Sequence, residues 1–183
     1  MSKKALLNID YTHDFVAEDG KLSCGAPGQA LEDDIVDLTE AFIEAGDDVF
    51  FAIDAHLADD PYHPEARLFP PHNIMGTPGR ELYGKLAEAY EKHRDKPHVH
   101  NSDKTRYSAF VGTPLETKLR ERGITELHLV GVCTDICILH TAIDAYNKGF
   151  DIVVHEKGVA SFNQPGHEVA LEHVKNVLGG AVV

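Results

Sequence analysis

The sequence predicts an α/β protein of 183 residues, built as a doubly wound three-layer sandwich with a mostly parallel central sheet. Short apolar runs rich in Val, Ile, Leu and Phe alternate with segments of helical period. These runs are nearly continuous, which is typical of strands covered on both faces in a parallel sheet. No repeat or interdomain linker interrupts the pattern, so we expect one domain over residues 1–183.

The elements of the first half follow from apolar runs and their boundaries. The run Ala5–Asp10 predicts a first strand, and Asp48–Asp54, with Val-Phe-Phe-Ala-Ile inside it, predicts a second. Between them Leu31–Ala45 has helical period, and the helix should stop at Gly46 because glycine readily adopts the conformation that ends helices. The Pro- and His-rich segment Ala55–Pro78 has little periodicity, and a loop of this length in a compact domain is usually functional.

The second half repeats the alternation of strand and helix. A helix that ends at Gly123 is followed by the apolar run before Cys133, and a longer helix has apolar residues at Ile136, Leu139 and Ile143. The predicted helices are Arg80–Lys92, Leu115–Arg122, Ile136–Lys148 and Gly166–Leu178. The predicted strands are His98–Asn101, Glu126–Val132 and Asp151–His155, with Ala181–Val183 as a last edge strand.

Composition and charge exclude several classes of function. The net charge is −13, whereas nucleic acids and anionic membranes are bound through basic patches, so we expect neither as a partner. No apolar run approaches the roughly 18 residues that span a bilayer, and the N-terminal apolar stretch is too short for a signal peptide. Three cysteines without disulfide-like spacing favour a reducing, cytoplasmic location. Dinucleotide, P-loop and G-x-S-x-G signatures are absent from the sequence.

Reactive side chains follow four predicted strands. In parallel sheets ligands bind beyond the carboxyl ends of the strands, so these residues should share one site. Asp10 ends the first strand and is a better candidate for a base than Asp14. Lys104 is a surface lysine or, if it lies against Asp10, a group that orients and tunes that carboxylate. Asp54 and His56 follow the second strand, and Cys137 follows the fourth.

Cys137 lies in the sequence Gly-Val-Cys-Thr-Asp-Ile-Cys, where a buried strand leads into a helix. Thr134 and Asp135 are candidates for the N-cap, which would put Cys137 in the first helical turn. The helix dipole there should lower the thiol pKa and make the thiolate available. The alternative is a buried cysteine that only packs, as expected for Cys133 at the end of the strand.

The long loop carries a candidate metal site. Asp54 and His56 are two apart at a strand end and point the same way, and the loop adds His63, Glu65 and His72. Two histidines with one or two carboxylates suit a divalent transition metal such as Zn, Mn or Fe. The alternative is a polar loop with surface histidines.

Five segments in this order resemble the isochorismatase-like cysteine hydrolases, and among them the nicotinamidases. The segments are Ile9–Phe15, Asp54–His56, Leu68–His72, Lys104 with Tyr107–Phe110, and Gly131–Cys137. The resemblance implies a doubly wound sheet and a catalytic triad of Asp10, Lys104 and Cys137. It also implies a cis peptide between Val132 and Cys133, and an oxyanion hole formed by the backbone amides of Cys133 and Cys137.

The nicotinamidase branch implies one divalent metal, with zinc favoured and Mn or Fe as alternatives. Asp54, His56 and His72 match its ligands. The fourth ligand would be Glu65, with His63 as its rival. Phe15 and Phe69 would flank the pyridine ring, with Tyr107 nearby, and Phe69 replaces a Trp seen in some relatives.

The activity that the resemblance implies is hydrolysis of nicotinamide to nicotinate and ammonia through a cysteine thioester, in NAD salvage. The nearest alternative is an isochorismatase or another small-amide hydrolase of the same fold. A non-catalytic binding module would not need Asp10, Lys104 and Cys137 together, and a metal-storage protein would leave all three unexplained. Members of this family are often oligomeric, so self-association is also expected.

Overall fold

A six-stranded parallel sheet in the order β3-β2-β1-β4-β5-β6 forms the centre of the computed structural model, which describes residues 3–183. The strands are β1 (Lys3–Ile9), β2 (Asp48–Asp54), β3 (Val99–Lys104), β4 (Ile124–Val132), β5 (Asp151–Ala160) and β6 (Ala181–Val182). The chain builds outward from β1 to β3, then crosses to the other side of β1 and builds from β4 to β6. The predicted doubly wound sheet is therefore confirmed, and the crevice at its switch point lies beyond β1 and β4.

Helices cover both faces of the sheet. They are α1 (His13–Val16), α2 (Ala26–Gln29), α3 (Glu32–Ala45), α4 (Gly84–His93), α5 (Leu115–Glu121), α6 (Leu139–Asn147) and α7 (Gln164–Asn176). Because side chains alternate along a strand, Leu7 and Ile9 of β1 join the core under α5, α6 and α7, whereas Leu6 joins the core under α3 and α4. Between residues 3 and 183, none of the helices combines the length and apolar character that a bilayer crossing demands.

Several element boundaries differ from the prediction. The helix predicted from Arg80 begins at Gly84, because residues 78–80 form a separate 3₁₀ turn and the chain is extended at Tyr83. β3 continues to Lys104 instead of ending at Asn101, because its ladder with β2 extends to the last residue of both strands. β5 continues to Ala160 after a register shift against β4. α1 and α2, at four residues each, are too short to produce a periodic signal.

The segment after β4 is two helical pieces where one helix was predicted. Thr134–Ile138 forms a π-helical turn, in which the Ile138 N–H donates to the Cys133 carbonyl at 3.2 Å, and α6 follows. The prediction that Thr134 or Asp135 caps this helix is wrong, because Cys133 holds the N-cap position and no side chain caps it. Thr134 Oγ1 instead pairs with His167 Nδ1 at 2.8 Å, and Asp135 accepts a hydrogen bond from Asn163.

Candidate functional site

Four neighbouring strands each deliver a functional group to the carboxyl edge of the sheet. Lys104 is the last residue of β3, Asp54 the last of β2, Asp10 the first after β1, and Cys133 the first after β4. Their order across the sheet is that of the strands, β3-β2-β1-β4. Cys137 follows in the π-helical turn, so the predicted convergence of these residues at one edge is what the structure contains.

The first group of side chains, which we call the lysine cluster, consists of Asp10, Asp54, Lys104 and Cys137. The Lys104 ammonium lies 2.5 Å from Asp54 Oδ1, 2.7 Å from Asp10 Oδ2 and 3.6 Å from Cys137 Sγ. It also donates to the carbonyl of Arg106 at 3.1 Å. Lys104 is 1% exposed, so it is not the surface lysine of the alternative interpretation.

Asp10 is held in place by the strand next to it. Its φ of 56° lies in the left-handed region, which aspartate tolerates better than most residues. The Asp10 N–H donates to the Ala52 carbonyl at 3.1 Å, and its Oδ1 accepts the Asp54 N–H at 2.8 Å. The other carboxylate oxygen is left to face Lys104, so the backbone of β2 fixes which oxygen points into the cluster.

Burial controls the protonation behaviour of the lysine cluster. Burial and the negative charge of Asp54 raise the pKa of Asp10 to about 7, against the opposing effect of Lys104. Burial alone would lower the pKa of Lys104, but the charges of Asp10 and Asp54 outweigh it and raise that pKa well above its usual range. Burial also raises the pKa of Cys137 well above its usual range, although Lys104 opposes the shift. The predicted lowering of the thiol pKa is therefore wrong, because desolvation of a buried thiolate outweighs the favourable charge nearby.

The second group, which we call the histidine cluster, consists of Asp54, His56, Glu65 and His72, all buried. His56 Nε2 lies 3.9 Å from Asp54 Oδ2 and 3.8 Å from Glu65 Oε1, and His72 Nε2 lies 3.3 Å from Glu65 Oε2. Burial lowers the pKa of His56, which favours the neutral ring that ligates metals. Burial alone would raise the pKa of Glu65, but its 3.3 Å contact with His72 and the nearby His56 outweigh it and lower that pKa.

The donor atoms of the histidine cluster suit a divalent metal ion. Among residues 3–183, Asp54 Oδ2, His56 Nε2 and His72 Nε2 are buried polar atoms without a hydrogen-bond partner. Such atoms are expensive to bury unless something pairs them. Two ligands about 2.0 Å from a tetrahedral zinc ion stand about 3.3 Å apart, close to the separations found here. His72 Nδ1 pairs with the Pro70 carbonyl at 2.8 Å, which leaves Nε2 to face the cluster.

The two candidates for the fourth ligand, Glu65 and His63, differ in their contacts. His63 Nε2 is 2.8 Å from the Thr105 carbonyl, and His63 Nδ1 accepts the Glu65 N–H at 3.3 Å. Both ring nitrogens of His63 are thus engaged by backbone groups. Glu65 lies on a 3₁₀ turn, Pro64–Arg67, that aims its carboxylate at His56 and His72.

The loop that carries these residues is closed at its base. The His56 N–H donates to the Asn73 carbonyl at 3.1 Å, and the Met75 N–H donates to the His56 carbonyl at 2.9 Å. Next to His72, the Asn73 N–H donates to Asp14 Oδ2 at 2.8 Å. Asp14, the rejected candidate for a base, therefore anchors the exit of the loop.

A small cavity of about 20 Å³ lies beside the two clusters, and Cys137 is part of its lining. The three predicted aromatic residues Phe15, Phe69 and Tyr107 also line it. Sequence reasoning missed Leu22, Ile136 and Phe162, which complete its apolar walls. Phe162 left no usable signal, because it lies two residues after the observed end of β5 but seven after the predicted end at His155. Cys133 lines the same cavity, and the peptide between Val132 and Cys133 is cis, as predicted.

Comparisons with known proteins agree with this architecture. The Isochorismatase domain model matches residues 4–183. An uncharacterized isochorismatase family protein PncA of Bacillus subtilis strain 168 is 64% identical over 98% of both chains. The crystal structure of nicotinamidase/pyrazinamidase PncA from Bacillus subtilis superposes with a TM-score of 0.98 at 65% identity, over 99% of both chains. The structure of Pyrococcus horikoshii pyrazinamidase in complex with zinc gives a TM-score of 0.86 at 26% identity, over 99% of this chain and 98% of that chain. The protein described here belongs to the isochorismatase family.

Proposed function

We propose that this protein is a nicotinamidase, an amidohydrolase that converts nicotinamide to nicotinate and ammonia in NAD salvage. One observation carries the proposal: Cys137 Sγ lies 3.6 Å from Lys104 Nζ and within 4.8 Å of an Asp10 carboxylate oxygen, beside a small aromatic cavity. A sulfur nucleophile, a carboxylate base and a fixed cation are the parts that cysteine-based amide hydrolysis needs. The similarity to nicotinamidase/pyrazinamidase PncA supports the same activity.

In the proposed reaction, the carboxylate of Asp10 takes the proton of the Cys137 thiol. Because burial keeps the thiol protonated, a base in contact with it is required. The Cys137 sulfur then attacks the carboxamide carbon, and the backbone amides of Cys133 and Cys137 stabilise the negative oxygen that forms. Asp10 returns its proton to the departing nitrogen, so ammonia leaves and a thioester remains.

The second half of the reaction uses the same carboxylate. Asp10 accepts a proton from water, the hydroxide attacks the thioester, and nicotinate is released. The proton on Asp10 returns to the Cys137 sulfur, which regenerates the starting state. Lys104 holds Asp10 throughout, since its ammonium is 2.7 Å from the Asp10 oxygen that faces the cluster. Phe15, Phe69 and Tyr107 are proposed to enclose the ring.

Asp54, His56, Glu65 and His72 are proposed to hold one divalent metal ion, with zinc favoured over Mn or Fe. A bound ion would supply a Lewis-acidic anchor for the pyridine nitrogen. The unpaired buried atoms of the histidine cluster support this assignment, as does the zinc complex of the Pyrococcus relative. We treat residues 1–183 as one domain. The three free thiols favour the reducing cytoplasm, and self-association stays a prediction for light scattering to test.

The test is an ammonia-release assay on a panel of amides, combined with elemental analysis of the purified protein. Nicotinamide and pyrazinamide should be hydrolysed, whereas benzamide, which lacks the ring nitrogen, should be a poor substrate. One equivalent of zinc, manganese or iron should accompany the activity. Activity on isochorismate in place of the amides, or equal turnover of benzamide and nicotinamide, would contradict the proposal.

A further inference from the structure

Two sulfur atoms near the cavity, those of Cys24 and Cys133, take no part in the proposed reaction. Cys24 Sγ and Cys133 Sγ lie 3.0 Å apart, and the two residues are 4% and 6% exposed. Cys24 belongs to the segment between α1 and α2, and Cys133 follows β4. They are 109 residues apart in sequence, so the tertiary fold brings them together.

The surroundings of the pair give a small oxidant access to one of its two sulfurs. Cys133 lines the cavity that also contains Cys137, so a reagent as small as a peroxide can approach it from the substrate side. The hydrogen bond with Cys24 and burial raise the pKa of Cys133 well above its usual range, so Cys133 stays a thiol until it reacts, and the contact between the two sulfurs is what favours their joining. Oxidation of one sulfur leaves the other already in contact with it.

We propose that Cys24 and Cys133 form a redox-active thiol pair that a small peroxide converts to a disulfide, and that this disulfide reversibly lowers the activity of the adjoining site. The formation of the disulfide is independent of the proposed function, and only its effect on activity rests on it. Neither sulfur belongs to the lysine cluster or the histidine cluster.

The oxidation balances with one peroxide for each pair. One sulfur attacks a peroxide oxygen, the O–O bond breaks, and a sulfenic acid forms as hydroxide leaves and takes the proton released by that thiol. The second sulfur attacks the sulfenic sulfur, and the S–S bond forms as the S–O bond breaks. The hydroxide that departs takes the second thiol proton. Two thiols and one hydrogen peroxide thus give one disulfide and two waters.

The disulfide should reach the active site through Cys133. A disulfide bond is about 2.0 Å long, so the two sulfurs must close by about 1 Å. Cys133 supplies one of the two amides proposed to hold the negative oxygen. That amide belongs to the same residue as the sulfur that would move. On the other side, the Cys24 N–H donates to the Phe15 carbonyl at 2.8 Å, which links the pair to an aromatic wall of the cavity. Displacements of this size can reduce turnover by roughly tenfold or more.

The covalent part is tested in the Cys137→Ser protein, which retains only the two thiols of the pair. After treatment with hydrogen peroxide, its intact mass should fall by two hydrogen atoms, and a non-reducing peptide map should link the peptides that contain Cys24 and Cys133. Both thiols should resist alkylation until dithiothreitol is added. The matched control, Cys24→Ala with Cys137→Ser, should gain oxygen or remain unchanged. Thiols that stay alkylatable, or that gain oxygen without a link, would overturn the proposal.

The functional part is tested with nicotinamide hydrolysis by the wild-type protein and by Cys24→Ala and Cys24→Ser. Peroxide should lower wild-type turnover by roughly tenfold or more, and dithiothreitol should restore it. Both Cys24 variants should keep their activity under the same treatment. A linked wild-type protein with unchanged turnover would refute the regulatory effect. If the untreated protein did not hydrolyse nicotinamide at all, the proposed function would fail. The mass measurement would still decide whether Cys24 and Cys133 form the disulfide.

Discussion

The lysine cluster and the histidine cluster share Asp54, but their charges are satisfied to different degrees. In the lysine cluster one ammonium contacts both carboxylates, at 2.5 Å and 2.7 Å. In the histidine cluster the nearest nitrogen–oxygen pairs lie 3.3–3.9 Å apart. Three of these atoms, Asp54 Oδ2, His56 Nε2 and His72 Nε2, have no hydrogen-bond partner among residues 3–183. The comparison supports the proposal that an ion completes the ring-binding side, whereas the chain itself supplies the cation of the proposed nucleophile side.

The largest expected effect comes from removal of the sulfur nucleophile. Cys137→Ala should lower nicotinamide hydrolysis by about 10⁴-fold or more, because no other group in the lysine cluster can form the covalent intermediate. Steady-state ammonia release measures the effect. Metal content should be unchanged, since Cys137 is not part of the histidine cluster. Residual turnover near that of the wild type would show that the sulfur is not the nucleophile.

Lys104→Met should be the most destabilising change in the lysine cluster. It leaves Asp10 and Asp54 buried next to each other without a cation, and breaking a buried ion pair in this way typically destabilises a protein by about 3–5 kcal/mol. Urea denaturation of the metal-free proteins measures the loss. Lys85→Met is the matched control, because Lys85 pairs with Asp33 on the exposed surface and its removal should leave the midpoint unchanged. Equal midpoints for the two variants would mean that the cluster is not held by its lysine.

Zinc should stabilise the protein by binding at the histidine cluster and not at the ammonium of the lysine cluster. Zinc at 100 times its dissociation constant should stabilise the wild-type protein by about 2.7 kcal/mol, seen as a rise in the thermal midpoint. Glu65→Gln should weaken this response, because the amide removes a charged ligand from the cluster. His63→Gln is the control and should keep it, since both nitrogens of His63 bond elsewhere. The opposite ranking would make His63 the fourth ligand.

A separate pair of histidines, His128 and His155, lies outside both clusters. Burial and the nearby His128 lower the pKa of His155 to about 4, and the two rings meet at 2.8 Å. The unfolded chain binds this proton near pH 6.5, so its contribution to stability is complete above pH 6.5 and is lost as the pH falls toward 4. The loss should be about 1 kcal/mol after allowance for partial exposure.

His155→Gln should therefore flatten the acid limb of the stability profile. Urea midpoints at pH 7, 5.5 and 4.5 compare the variant with the wild-type protein. If both proteins lost stability equally over this range, the His128 and His155 pair would not be the source of the acid sensitivity.

Much of the fold and part of the site could be predicted from the sequence, for identifiable reasons. Buried parallel strands leave continuous apolar runs, so Asp10 and Asp54 stood out as carboxylates at the ends of such runs. Lys104 was harder to place, since β3 carries the polar sequence Val-His-Asn-Ser-Asp-Lys and is longer than its apolar signal. Its position follows from ladder pairing with Asp54, which is a tertiary feature.

Other parts of the site depend on contacts that no local pattern records. The choice between His63 and Glu65 depends on the Thr105 carbonyl, which engages His63 from another segment of the chain. The thiol pKa of Cys137 was predicted in the wrong direction, because position near a helix start suggests a charge effect and says nothing of burial. The contact between Cys24 and Cys133 likewise arises only when the segment between α1 and α2 meets the residue that follows β4.

The loop of residues 57–73 is closed at its base, so its sequence can vary with little effect on the sheet. Backbone hydrogen bonds between His56 and the segment Asn73–Met75 hold the entry and exit of residues 57–73 side by side at the end of β2. The free energy of closing such a loop grows only slowly with its length, so insertions there need not disturb the sheet. Two of the four proposed metal ligands, Glu65 and His72, can therefore be exchanged as one cassette, whereas the proposed nucleophile, base and lysine belong to the permanent framework. Chimeras that swap this cassette between relatives would change the ring preference of the enzyme while they keep its bond-breaking chemistry.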